Sequence, residues 1–185
     1  IYMKSLKGNL QEKIVFLKIR SGDSDAFAFF YEQYVTRIYR FVLIKVSDKR
    51  VAEEITQDIF LKVWQHIVDK KHVKSFQAFI FRIARNSVID YYRQASRQEL
   101  PLDYVEDSLS EDDQSEAKID KSIDSNQILE QIKKLKVEYQ EILLLRYVED
   151  LSIEEISQVL QKDKNNVRVT LHRALNKLKS ISSNK

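Results

Sequence analysis

Ser152 to Leu178 reads SIEEISQVLQKDKNNVRVTLHRALNKL. Ser152 and Glu155 form a Ser-x-x-Glu capping box. It opens a short helix whose Ile153, Ile156, Val159 and Leu160 lie on one side. Asp163 is a helix-capping residue type, and after it Val167, Leu171, Ala174 and Leu178 recur at helical spacing. Two helices joined by about three residues match a helix-turn-helix, although plain helical hairpins share the pattern. The outward positions of the second helix are Lys164, Asn165, Arg168, Val169, His172, Arg173 and Asn176. They include no acid, and they supply the polar and cationic types that groove recognition needs.

Working outward, residues 127–150 read as one or two helices with Ile128, Leu129, Ile132, Leu135, Ile142, Leu143, Leu145 and Tyr147 as apolar positions. The preceding stretch, 98–126, holds 2 basic against 10 acidic residues, with Pro101, Ser108, Ser110, Ser115 and the triplet Glu111, Asp112, Asp113. So few apolar residues cannot offset the entropy of ordering, which predicts a flexible acidic linker. The flanking parts are basic, 18 against 10 over residues 1–97 and 11 against 8 over 127–185. That pattern suggests a polyanionic partner, nucleic acid being the commonest, with a merely solvated linker as the plainer alternative.

The N-terminal part, 1–97, also reads as helices. Leu10, Ile14 and Leu17 repeat on one face, Gly22 is a stop, and Asp23 or Ser24 caps a helix with Phe27, Phe30, Tyr31, Tyr34, Ile38, Phe41 and Val42 as core. In the next helix Val51, Ala52, Ile55, Ile59, Val63 and Ile67 share an apolar face, and Glu54, Gln57, Asp58 and Leu61 share the other. An apolar Leu61 among acids suits a basic helical partner, although a solvated acidic face with one stray leucine has the same pattern. From Phe76 to Arg97, with Arg82 as zero, Arg85, Asn86, Ile89, Arg93, Ser96 and Arg97 fall within about 60°, while Ile80, Ala84, Ser87, Val88 and Tyr91 point the other way. Such an arginine stripe can track phosphates, and Lys70, Lys71, His72 and Lys74 precede it as a basic loop able to hold an unstacked strand.

Composition excludes much else. Two glycines and one proline in 185 residues leave few of the tight turns that sheets require. An all-α chain follows. The absence of cysteine removes disulfides and thiolate chemistry, and His66, His72 and His172 are too scattered for a metal site, so neither a metal nor a cofactor is expected. No long apolar run or signal peptide is visible, which predicts a cytoplasmic protein without membrane insertion. Met3, the lone methionine, reads as the natural start. No activated nucleophile or phosphate-binding glycine loop points to catalysis, and the acids of the linker lie in a segment unable to hold coordination geometry.

Three blocks together resemble the extracytoplasmic-function group of bacterial RNA polymerase sigma factors. They are Ala52 to Trp64 (AEEITQDIFLKVW), Phe79 to Asn86 (FIFRIARN) continuing through Ile89 to Arg93 (IDYYR), and Val167 to Ala174 (VRVTLHRA). The resemblance covers roughly residues 22–97 and 127–179. It implies two helical domains, sigma region 2 and a region 4 helix-turn-helix, joined by a flexible linker. By that analogy Glu54, Gln57, Asp58 and Leu61 meet the clamp helices of the largest subunit of core polymerase, and the flap of the second-largest subunit is a further contact. The second block and the basic loop (Lys71, His72, Lys74, Arg82, Arg85, Asn86, Arg93, Arg97) would open and capture the minus-ten element. In the third region Arg168, Val169 and His172 would reach base edges of the minus-thirty-five element, with Lys164, Asn166 and Arg173 on phosphates beside Asn165. An anti-sigma protein is a further implied partner. One departure is the turn, which often carries glycine and an apolar residue in such proteins but has Gln161 and Lys162 here, so Lys162 must extend outward. The rival readings are a helix-turn-helix regulator that acts without polymerase, which leaves the Ala52–Trp64 face without purpose, and an enzyme acting on nucleic acid.

Overall fold

The computed structural model describes residues 14–15, 17–69, 73, 75–98 and 130–182. The principal helices among these residues are α1 Ser24–Val46, α2 Lys49–Val68, α3 Phe76–Gln98, α4 Val137–Leu143, α5 Ile153–Leu160 and α6 Lys164–Ser182. No strand occurs among the described residues. The all-α expectation therefore holds. The chain divides into two compact units between Tyr91 and Tyr92, within α3. Of the acidic stretch 98–126, every residue after Gln98 lies outside the described residues, as do Met3, Leu10, Ile128 and Leu129.

In the first unit a helical segment through Ile19 ends at Gly22, whose φ of 91 is cheap only for glycine. Asp23 N–H donates to Lys18 O and Gly22 N–H to Ile19 O, the paired bonds of a Schellman ending. Asp23, rather than Ser24, caps α1, its Oδ1 accepting from the backbone of Asp25 and Ala26 at 3.0 and 3.1 Å. The core is aromatic: Phe30 meets Phe76 edge-on at 3.9 Å and Tyr34 at 4.7 Å, and Phe41 meets Phe81 at 5.4 Å. The Phe30–Phe76 and Phe41–Phe81 pairs tie α1 to α3, and the Phe30–Tyr34 pair lies within α1.

Two expectations fail here. Ile14 and Leu17 are exposed and Ile19 is buried, so the first helical segment turns a different face inward from the one its spacing suggests. Val15 and Ile19, four residues apart, form a second apolar row, and that row is the less exposed one. Tyr31 is half-exposed, although its ring still rests on Phe60 at 4.6 Å.

In the second unit α6 packs on both α4 and α5. Ile142, Leu143, Leu144, Leu145, Leu151, Ile156, Val159, Val167 and Ala174 form its core. The predicted capping box is present in full: Ser152 Oγ accepts from Glu155 N–H, and Glu155 Oε2 accepts from Ser152 N–H at 2.9 Å. Asp163 Oδ1 accepts from the backbone of Asn165 and Asn166, both at 2.9 Å. Tyr147, expected inside, is 58% exposed. After Leu143 the backbone widens into a π-turn, Leu144–Val148, with Glu149 N–H donating to Leu144 O at 3.0 Å. The wider turn shifts the angular register, so Leu144 and Leu145 stay buried and Tyr147 rotates out.

The α5–α6 turn accepts the bulkier residue at a cost. Gln161 sits at φ 54, ψ 39, a left-handed conformation that disfavours any Cβ by roughly 1–2 kcal/mol. Gln161→Gly should therefore raise stability by about 0.5–1 kcal/mol, allowing for the extra entropy of glycine in the unfolded chain. The check is a higher urea midpoint for the unfolding of this unit with an unchanged m-value. A lowered midpoint would mean that the glutamine side chain contributes more than the strain it causes.

Candidate functional site

Three surfaces carry the candidate residues, one on each of α2, α3 and α6. On α2, Asp48 caps the N-terminus by accepting from Arg50 and Val51 N–H at 2.8 and 3.1 Å. Ala52, Ile55, Ile59, Phe60, Val63 and Ile67 are buried, which fixes the rotation of the helix. Glu54, Gln57 and Asp58 then face outward, and Leu61 is 60% exposed between turns of acid and amide. Lys62, the cation next to Leu61 in the chain, is drawn away from this face, because its ammonium donates to Ser87 Oγ on α3 at 3.0 Å. The hydroxyl is on a buried residue, so the bond also holds α2 and α3 in fixed relation. A surface with exposed acids around one leucine can take a basic partner with an apolar contact at its centre.

On α3, Phe76, Phe79, Ile80, Phe81, Ala84, Ser87 and Val88 are buried, and the arginine stripe runs along the other side. Arg82 and Arg85 are half-buried at the flank, while Asn86, Ile89 and Arg93 are exposed. The Arg82 guanidinium lies 5.9 Å from the centroid of the Phe79 ring, a placement that orients it without removing its charge. Tyr92, 47% exposed, joins the stripe, although helical spacing alone does not single it out. It lies about 80° from Arg82 on the helical projection, beyond the arc that holds the arginines, yet an exposed ring beside arginines offers a face on which a base can stack. Lys70, Lys71, His72 and Lys74 lie outside the described residues, as does the side chain of Arg97.

On α6, burial of Val167, Thr170 and Ala174 turns Lys164, Asn165, Asn166, Arg168, Val169, His172, Arg173 and Asn176 outward, all of them exposed. Several of these side chains are already organised by one another. Arg168 Nη1 donates to Asn165 Oδ1 at 3.0 Å, Thr170 Oγ1 donates to Asn166 Oδ1 at 3.1 Å, and Asn176 Nδ2 lies 3.0 Å from His172 Nε2. Holding Arg168 through one nitrogen cuts the rotamer entropy lost when the rest of its fork meets a base edge.

The lysines around the turn have acidic partners that sequence reasoning does not find. Lys162 extends outward, as expected, and its ammonium pairs with Glu138 on α4; Lys164 pairs with Glu154 on α5. Local periodicity carries no trace of either pair, since each joins separate parts of the chain. Among the described residues no group of three or more His, Asp and Glu side chains is arranged to hold a metal ion, and no helix is long and apolar enough to cross a membrane.

Against known proteins, residues 30–98 match the family model for sigma-70 region 2, and residues 125–178 match that for sigma-70 region 4. The ECF RNA polymerase sigma factor SigM of Bacillus subtilis is 30% identical over 153 residues, 82% of this chain and 91% of that protein. The ECF RNA polymerase sigma factor BldN of Streptomyces coelicolor is 27% identical over 163 residues, which are 87% of this chain and 62% of that protein. Among solved structures, the sigma factor RpoE in complex with the anti-sigma factor NepR from Bartonella quintana superposes with a TM-score of 0.64 at 18% identity. That match covers 85% of this chain and 96% of the other.

Proposed function

The chain belongs to the extracytoplasmic-function RNA polymerase sigma factors, and on that premise we propose that it binds core polymerase, directs it to specific promoters and helps open them. The exposed Glu54, Gln57, Asp58 and Leu61 of α2 dock on the clamp helices of the largest subunit. The α3 stripe of Arg82, Arg85, Asn86, Tyr92 and Arg93 captures the minus-ten strand as the duplex opens. Helix α6 reads the upstream element, and the flap of the second-largest subunit is a further contact of the C-terminal domain. The domain organisation is region 2 over residues 1–97, an acidic linker over 98–126 and region 4 over 127–185. Nucleotidyl transfer is the polymerase's own chemistry, so this chain acts as an initiation factor in the cytoplasm. An anti-sigma protein is the inhibitor to expect.

The observation that carries this reading is the presence of three different surfaces in one chain: an acid-and-leucine face on α2, an arginine-and-tyrosine face on α3 and an acid-free outward face on α6. A regulator acting alone would need only the last. The test is permanganate reactivity of thymines near the start site of a duplex selected by the holoenzyme. Reactivity that requires both this chain and core polymerase is the expected result. A duplex bound with equal affinity with or without core, and never opened, would favour the free-standing regulator.

A further inference from the structure

Both lysines at the entrance of α6 are engaged by acids of the same unit: Lys162 by Glu138 on α4, and Lys164 by Glu154 at the start of α5. The second pair is the more consequential. Lys164 is the first residue of α6, directly after the Asp163 cap, whose carboxylate already accepts from the N–H groups of Asn165 and Asn166, so it is the Lys164 ammonium and not the helix N-terminus that would meet a DNA phosphate here. Its side chain and that of Glu154 are each about half exposed. A pair so open to solvent is weak enough for a phosphate to displace the carboxylate. We propose that Glu154 is an internal competitor for DNA phosphate, withholding the Lys164 charge and lowering the sequence-independent affinity of the chain for duplex DNA. The inference rests on the assignment of α6 as the DNA-reading helix.

The physical consequence follows from counterion release. A free lysine that meets a phosphate releases roughly 0.9 of a condensed cation. A lysine that must first leave a carboxylate exposes that carboxylate, which attracts a cation back, and much of the net release is lost. The chain is thereby less prone to capture by the great excess of non-promoter DNA, and the sequence-reading side chains Arg168, Val169 and His172 keep their exposed positions. The capping box is untouched by this arrangement, because Glu155, and not Glu154, closes it.

The test uses the full chain and a random-sequence duplex of fixed length, titrated at several salt concentrations. Glu154→Gln keeps the side-chain shape and should tighten binding about two- to fivefold at ~0.1 M salt, the range expected for release from an exposed ion pair. The salt slope should steepen by up to about 0.9. In a Lys164→Gln background the same substitution should give no gain. Unchanged binding on Glu154→Gln, weaker binding, or an equal gain in both backgrounds would overturn the proposal, the last because it signals plain repulsion between the carboxylate and DNA. Thermal melting of each variant checks that α5 is intact. Arg168→Ala and Arg173→Ala measured alongside separate the two levels of the account. If Arg173→Ala, the phosphate contact, weakens binding while Glu154→Gln is silent, only the competitor falls, whereas silence of all three removes α6 as the DNA face.

Discussion

Replacing Gln57 with alanine and Asp58 with arginine should weaken association with core polymerase roughly a hundredfold while leaving the fold unchanged. Both side chains are exposed on α2 and neither belongs to the apolar face formed by Ala52, Ile55, Ile59, Val63 and Ile67. Surface substitutions of this kind usually move stability by no more than about 0.5 kcal/mol. At a docking surface read by charge, however, reversing an acid sets like charges against each other, which costs several kcal/mol; about 3 kcal/mol corresponds to the stated factor. The exposed Leu61 supplies the apolar centre of the same patch. Fluorescence titration of labelled chain with core polymerase measures the affinity, and circular dichroism checks helicity. Unchanged affinity would take the patch out of the polymerase interface.

Arg168→Ala and Arg173→Ala should have effects of different kind. Arg168 lies in the N-terminal half of α6 with its guanidinium oriented by Asn165. Loss of a bidentate contact to a base costs about 1–3 kcal/mol and relaxes preference at one base pair. Arg173 lies farther along the exposed face and is assigned to a phosphate. Its removal should weaken all sequences about equally and flatten the salt slope by roughly one counterion. Binding of the holoenzyme to a library of upstream elements at several salt concentrations resolves both. If Arg168→Ala leaves the preferred sequence intact while Arg173→Ala changes it, the two roles are assigned the wrong way round.

Features set by short-range chemistry are legible in the amino-acid sequence itself. The Ser152–Glu155 box, the Asp163 cap and the Gly22 stop are each decided within a few residues, and each has the expected hydrogen bonds. The faces of α2 and α3 are legible for a related reason, since a regular helix converts spacing directly into direction. Where regularity breaks, the reading breaks with it. The π-turn at Leu144–Val148 puts Tyr147 on the surface, and in the first segment two apolar rows compete, the Val15–Ile19 row being less exposed than Ile14 and Leu17. Pairs between distant parts of the chain are invisible to it: nothing in local periodicity joins Lys62 to Ser87, Lys162 to Glu138 or Lys164 to Glu154. Those contacts depend on packing, and they decide which cations near the candidate surfaces are available to a partner.

The most direct measurement is transcription by purified core polymerase, with and without this chain, from a template library carrying randomised upstream and minus-ten elements. The account predicts that core alone initiates without sequence preference, and that adding the chain produces discrete start sites downstream of one enriched pair of elements. It also predicts that the Gln57→Ala/Asp58→Arg variant loses that enrichment. Transcripts with the same distribution in the presence and absence of the chain would contradict it.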